Sequence, residues 1–148
     1  MKIPAVILAS CLLLMACKQK DTKMVSGDKK MTDYNITDTT KWTEVQWLNE
    51  NFDFGKVSEG PKVEVSYRIK NTGKHPLVIE SVEKTCGCTE TMKPEKPIMP
   101  GEEGVIKALY DSNGRVGMAH KTINVVFNGK ESPKALTFSG EVIAKNKQ

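Results

Sequence analysis

The sequence predicts an all-β chain, an antiparallel Ig-like β-sandwich of about seven strands preceded by a flexible tether. Three observations carry this. After residue 43, apolar residues recur at every second position in several short segments; turn-forming residues separate those segments; and no stretch there sustains an apolar stripe of helical period. The 148 residues, 39% hydrophobic and 27% charged, suit one such domain plus a tail and leave no room for a second core.

The N-terminus reads as an address. Met1-Lys2 is followed by Ile3 to Ala16, an apolar run broken only by Pro4 and Ser10. A membrane-crossing helix needs about 20 apolar residues, so this run is too short to span and has the proportions of a secretory signal peptide over residues 1–16. It ends at Leu14-Met15-Ala16-Cys17, where the chain resembles a bacterial lipoprotein precursor. The resemblance implies cleavage before Cys17, diacylation of its sulfur and acylation of the new amine. Met15 departs from the commonest residue of that pattern, and an ordinary signal peptide with an incidental cysteine is the alternative. Acyl chains contribute about 0.8 kcal/mol per buried CH₂, so several together hold a protein on a membrane durably. An Asp after the lipidated cysteine commonly marks inner-membrane retention. Lys18 stands there instead, so the resemblance implies an extracytoplasmic, lipid-anchored protein on the outer membrane, facing the periplasm.

Residues 17–42 read as the lipidated N-terminus and a disordered tether. Lys, Asp, Thr, Ser and Asn dominate, with scattered Met24, Val25, Met31, Tyr34 and Ile36 in neither period, too little apolar surface to offset chain ordering. Within it, Asp38-Thr39-Thr40 resembles a short O-glycosylation pattern of some Gram-negative lineages, which makes Thr39 a candidate attachment point.

The domain is expected over residues 43–145, with a tail at 146–148. Val45-Gln46-Trp47 and Phe52-Asp53-Phe54 supply short early strands. Val63, Val65, Tyr67 and Ile69 alternate with Glu64, Ser66, Arg68 and Lys70 in the clearest period-2 segment. A turn at Asn71 to Pro76 leads to Leu77-Val78-Ile79 with Val82. Ile106, Ala108 and Tyr110 mark the next strand, and Ile123, Val125 and Phe127 another. Leu136, Phe138, Gly140 and Val142 form the last, whose glycine gap suggests a bulge or a close contact. Tyr67, Tyr110, Phe127 and Phe138 fall on inward phase and read as core.

Charge narrows the partners. The formal net charge is +4, but residues 43–145 hold 14 Lys/Arg against 14 Asp/Glu, so the surplus lies in the tail segments. A neutral domain lacks the basic footprint that nucleic-acid backbones require.

Several motifs in consistent order over roughly residues 45–143 are similar to one family. They are Asp53-Phe54-Gly55-Lys56-Val57, Tyr67-Arg68-Ile69-Lys70-Asn71-Thr72-Gly73, Pro76-Leu77-Val78-Ile79, Cys86-Gly87-Cys88-Thr89, Pro97-Ile98-Met99-Pro100-Gly101-Glu102 and Gly114-Arg115-Val116-Gly117. Together they resemble the bacterial domain-of-unknown-function family 1573, a Hydin-like, Ig-like extracytoplasmic module. The resemblance implies the sandwich and the exported location, and no activity, because such a fold serves many purposes. The antibody-type staple of distant cysteines and a packed tryptophan is absent.

Cys86-Gly87-Cys88 is the chief chemical signal, and four readings of it are open. The pair forms a local disulfide in an oxidising compartment, Gly87 easing the small ring. Or both thiols stay reduced and pack a strand end. Or they hold Cu(I), with Met92, Met99 or Met118 as a further ligand. Or they act as a redox catalyst, although the C-x-x-C spacing and a helix N-terminus are missing.

Other motifs point to structure. Asp53-Phe54-Gly55 lacks every companion of the kinase magnesium motif, and Asp111-Ser112-Asn113-Gly114 lacks the rest of a calcium loop. His75 lies in a turn and His120 opens a strand, neither at triad-like spacing from a nucleophile. The expectation is a non-enzymatic binding or scaffold module without cofactor or metal, held to a membrane by lipid and engaging another envelope protein or glycan. The alternative is a periplasmic thiol-redox or Cu(I)-handling protein using Cys86 and Cys88.

Overall fold

The computed structural model describes residues 31–145. Cys17, the expected signal peptide and the tail 146–148 lie outside the described residues. Among the described residues there are eight strands: β1 (Val45–Trp47), β2 (Asn51–Ser58), β3 (Lys62–Asn71), β4 (Ile79–Lys84), β5 (Thr89–Met92), β6 (Glu103–Asp111), β7 (Gly117–Phe127) and β8 (Lys134–Ile143). They form two four-stranded sheets, β1-β3-β6-β5 and β2-β8-β7-β4. The chain is an Ig-like β-sandwich.

Two features of the sheets differ from the expectation. The first is an extra strand, β5, whose Thr89 and Thr91 turn inward while Glu90 and Met92 are exposed. Its apolar alternation is inverted, so period-2 reasoning passes over it. The second is that β2 pairs with β8 in parallel, whereas every other pairing is antiparallel. One extended run is divided between the sheets. β1 runs along β3, and Leu48 still donates its N–H to the Arg68 carbonyl at 2.9 Å. The Asn49 side chain then continues the ladder, donating to the Ser66 carbonyl and accepting the Arg68 N–H, each at 2.8 Å. The backbone is released to cross to β8 while the Ser66 carbonyl and both Arg68 backbone groups keep partners.

β2 also carries a bulge. Asp53 faces Ser139 and Lys56 faces Glu141, so Phe54 and Gly55 both oppose Gly140. Gly55 has φ +68°, and its N–H is held by the Asp53 carboxylate at 2.8 Å. A Cβ on Gly140 would lie 2.3 Å from Phe54 ring carbons. The glycine gap in the last strand is therefore the seat of a phenyl ring, and Asp53-Phe54-Gly55 is a bulge.

The core lies between the sheets. Val65, Tyr67 and Ile69 from β3, Ile106, Ala108 and Tyr110 from β6, Ile123, Val125 and Phe127 from β7, and Leu136, Phe138 and Val142 from β8 are all buried. Phe54, Tyr110 and Phe138 make a triangle of rings with centroids 5.7–6.5 Å apart. Such fully buried side chains contribute about 1.5–3 kcal/mol each by leaving water. The Tyr67 hydroxyl and Trp47 Nε1 are buried without a hydrogen-bond partner.

Residues 31–42 are more structured than a tether. Short 3₁₀ turns occupy Met31–Asp33 and Thr39–Lys41. Trp42 donates its indole N–H to the Ile36 carbonyl at 2.9 Å, and Thr43 its N–H to the Asn128 carbonyl at 3.0 Å. Composition misses this arm because its few apolar groups seat on an existing body instead of forming a core of their own.

Candidate functional site

The sandwich has two chemically different ends. At one, the N-terminal arm enters beside the β3–β4, β5–β6 and β7–β8 connections. Two buried asparagines bind these together. Asn128 accepts the Val78 N–H at 2.7 Å and donates to the Lys41 and Pro76 carbonyls at 3.0 and 2.9 Å. Asn71 donates to the carbonyls of His75 and Ile98, both at 2.8 Å, and accepts the Thr43 hydroxyl at 2.8 Å. Besides the local bonds of Asn71 to Gly73 and His75, these amides join the arm, the β3–β4 connection and the β5–β6 and β7–β8 connections, so this end is a polar clasp.

Thr39 lies at the clasp, on the rim of a groove of about 420 Å³ that Trp42, Val45, Thr72, Phe127, Lys130 and Glu131 also line. Its residue is exposed. Asp38 caps the turn, accepting the Thr40 N–H at 3.1 Å and the Thr40 hydroxyl at 2.6 Å. The Thr40 hydroxyl and then Lys41 hold the Asp38 carboxyl below its usual value. Asp38 and Thr40 thus have a local structural role that leaves Thr39 at the surface.

The opposite end carries the β2–β3, β4–β5 and β6–β7 connections. Ser112, fully buried, donates to the Pro61 carbonyl at 2.7 Å and accepts the Gly60 N–H at 3.1 Å. The Glu59 carboxylate accepts the Gly114 N–H at 2.9 Å. Asp111 accepts the Asn113 N–H at 3.0 Å, so Asp111-Ser112-Asn113-Gly114 is a turn. Beyond these ties, Val116, Met118 and Ile143 are exposed, Met118 at 80%. Met118 pairs with Glu141 on the outer side of the β2-β8-β7-β4 sheet, at the end where Ile143 closes β8 and Val116 immediately precedes β7.

Cys86 and Cys88 lie at this end, in the crossover from β4 to β5, and are joined as a disulfide with Cα atoms 5.3 Å apart. Cys88 is buried in the core cluster, and its carbonyl accepts the Asp111 N–H at 2.9 Å. Cys86 is half-buried. Thr89, also buried, has its hydroxyl 3.6 Å from Cys86 Sγ and 3.9 Å from Cys88 Sγ. With both sulfurs bonded to each other, thiolate ligation of copper requires prior reduction. The methionines considered as further ligands are dispersed: Met92 on the outer side of β5, Met99 in the β5–β6 connection at the clasp end, and Met118 on the other sheet.

His75 and His120 are exposed at separate places, the former in the β3–β4 connection and the latter on β7. Several outward carboxylates meet lysine or arginine across strands, as in Arg68–Glu103, Lys107–Glu64 and Lys56–Glu141. Sequence reasoning missed three functional features. Thr89 stood in the Cys86-Gly87-Cys88-Thr89 motif, but its place beside both sulfurs was not readable because it is a matter of distance. The asparagine clasp was hidden because Asn71 and Asn128 each look like turn residues. The patch of Val116, Met118 and Ile143 needs the register of β7 with β8 to become one surface.

No curated protein matches the sequence. Several solved structures share the fold. A protein of unknown function from Porphyromonas gingivalis W83 is similar at 16% identity and a TM-score of 0.60 over 70% of this chain and 49% of that one, so this chain spans about half of it. The seventh PapD-like domain of human CEP192 is similar at 14% identity and a TM-score of 0.53 over 72% of this chain and 89% of that one. The Vibrio cholerae VesB protease is similar at 14% identity and a TM-score of 0.53 over 72% of this chain and 34% of that one. At such identities the likeness is one of fold. A family model described as "Protein of unknown function (DUF1573)" matches residues 45–142, from the first residue of β1 nearly to the end of β8, and the chain belongs to that family.

Proposed function

We propose that this is a non-enzymatic, extracytoplasmic lipoprotein, anchored through acylated Cys17 on the outer membrane facing the periplasm, whose sandwich binds another envelope component with the end remote from its anchor. The observation that carries this reading is the opposition of the two ends. The N-terminal arm is bound into the Asn71–Asn128 clasp at one end, while Val116, Met118 and Ile143 are each exposed at the other. A lipid on Cys17, which precedes the arm in sequence, would tether the clasp end and leave the apolar end the one farther from the anchor along the domain. Exposed apolar clusters rimmed by polar groups commonly mark interaction sites.

The favoured partner is a protein, since the patch is aliphatic and offers no aromatic platform for a sugar. Photo-crosslinkers placed at Met118 and, as a control, at Thr32 in the full chain test this in cells. Discrete adducts from Met118 and none from Thr32 are expected; no adduct from Met118 refutes the tip as the binding surface. The anchor is tested separately. Cys17→Ser is expected to abolish labelling by a fatty-acid probe, and persistent label on that variant refutes lipidation at Cys17.

A further inference from the structure

Two sulfurs in one bridge occupy unlike surroundings here. Cys88 Sγ is packed in the core, its residue 8% exposed, and its backbone is pinned to β6 through Asp111. Cys86 belongs to the open crossover and is half-buried. The Thr89 hydroxyl is buried, and the two sulfurs are its hydrogen-bond partners. A disulfide sulfur is a weak acceptor, so this O–H gains little while the bridge is closed. A thiolate accepts strongly. Thr89 therefore holds a donor where negative charge develops only as the S–S bond opens, the arrangement that favours a transition state over its ground state.

We infer that the Cys86–Cys88 bridge is a site of thiol–disulfide exchange in which an incoming thiolate attacks Cys86 Sγ and Cys88 departs as a thiolate held by the Thr89 hydroxyl. The co-reactant is a thiolate, from a small molecule or a protein cysteine. Its electron pair forms the new bond to Cys86 Sγ. The Cys86–Cys88 bond breaks, and its pair remains on Cys88 Sγ, which water later protonates. The products are a mixed disulfide on Cys86 and a free Cys88, with no net oxidation. Access selects the attacked sulfur, because Cys88 is buried in the core cluster while Cys86 is half-buried. A separation of only two residues keeps Cys88 beside the mixed disulfide, so it can expel the guest and close the bridge again. This chemistry depends on neither the lipid anchor nor the binding tip.

The test uses the purified, oxidised full chain and reduced glutathione, with acid quenching, N-ethylmaleimide alkylation and peptide mass mapping. Glutathione on Cys86 with N-ethylmaleimide on Cys88 is expected to exceed the reverse pattern by about tenfold. Glutathione mainly on Cys88, an even distribution, or no adduct at all overturns the inference. Thr89→Val keeps the side-chain shape and removes the donor, and is expected to slow adduct formation by roughly tenfold. In the reduced chain it should also move Cys88 alkylation to higher pH, a shift that packing alone would not produce. Thr89→Ser should restore both to within about twofold. A wild-type rate in Thr89→Val overturns the role given to Thr89, while site mapping on the unaltered chain holds whatever that variant does to folding.

Discussion

Replacing Asn128 with alanine puts the polar clasp to a quantitative test. The amide of Asn128, in a residue 4% exposed, accepts one backbone N–H from Val78 and donates to the carbonyls of Lys41 and Pro76. Alanine removes three hydrogen bonds and strands one donor and two acceptors where water enters poorly. A net hydrogen bond is worth about 1 kcal/mol, and a buried group left unpaired costs about 1–3 kcal/mol. The expected loss is therefore about 3–5 kcal/mol, or a melting temperature lower by about 10–20 °C for a domain of this size. Urea unfolding followed by tryptophan fluorescence measures it, with Trp42 on the arm and Trp47 on β1 reporting the affected end. Amide exchange at Val78 should rise in parallel. Thr43→Val, which removes only the 2.8 Å bond to Asn71, sets the lower reference at about 1 kcal/mol. A loss below about 1 kcal/mol in Asn128→Ala, with the Val78 amide still protected, would refute the clasp.

Three further outcomes follow from the same structure. Tyr67→Phe deletes a buried hydroxyl that lacks a partner, so the variant should equal or exceed the wild type in stability by up to about 1 kcal/mol at pH 7. Burial also pushes the Tyr67 pKa upward. The folded chain thus keeps a proton that the unfolded chain releases near pH 10, and this residue draws stability down as pH rises past that value. Chemical denaturation at pH 7 and about pH 10.5 should show the advantage of phenylalanine growing; a constant difference contradicts it. Gly140→Ala sets a methyl 2.3 Å from the Phe54 ring and should cost about 1–3 kcal/mol, with part recovered when Phe54→Ala is added; strict additivity in that cycle contradicts the contact. Lys93→Ala uncovers the Ile79 and Glu80 carbonyls on the edge of β4 and should promote self-association on size-exclusion chromatography with little change in melting temperature.

The sandwich was legible because β3, β6, β7 and β8 write their burial directly into alternating residues. Val65, Tyr67 and Ile69 are inside because their neighbours are polar, and that information is local. β5 was not legible, since the inward positions hold threonine and the outward ones glutamate and methionine. Strand partnership was equally hidden: nothing in Phe52-Asp53-Phe54 distinguishes a parallel neighbour from an antiparallel one. At the candidate site, Cys86 and Cys88 announced themselves by residue type. The donor aimed at them did not, because a threonine at the head of a strand is unremarkable until its distance to sulfur is known. The arm was read as spacer for a related reason. Its few apolar groups gain burial only against the folded body, and the Lys41 carbonyl held by Asn128 adds a backbone tie of which composition carries no record.

A β-sandwich can meet a partner through its faces, its edges or its ends, and here the first two are guarded. The outer faces carry cross-strand ion pairs, including Lys62–Glu90 and Lys107–Glu64 on one and Lys56–Glu141 on the other. Such pairs add little stability, but they keep the faces hydrated. Of the edges, β1 is three residues long and β5 four, and β2 is interrupted by its bulge. β4 is screened by Lys93, whose ammonium donates to the Ile79 and Glu80 carbonyls, and by the Thr91 hydroxyl donating to the Val82 carbonyl at 3.1 Å. Strand addition would have to displace those donors first, at a cost in desolvated lysine and broken bonds. One end is occupied by the arm. The remaining end needs no such displacement and holds both the exposed apolar residues and the disulfide, which is why the proposed binding surface is placed there.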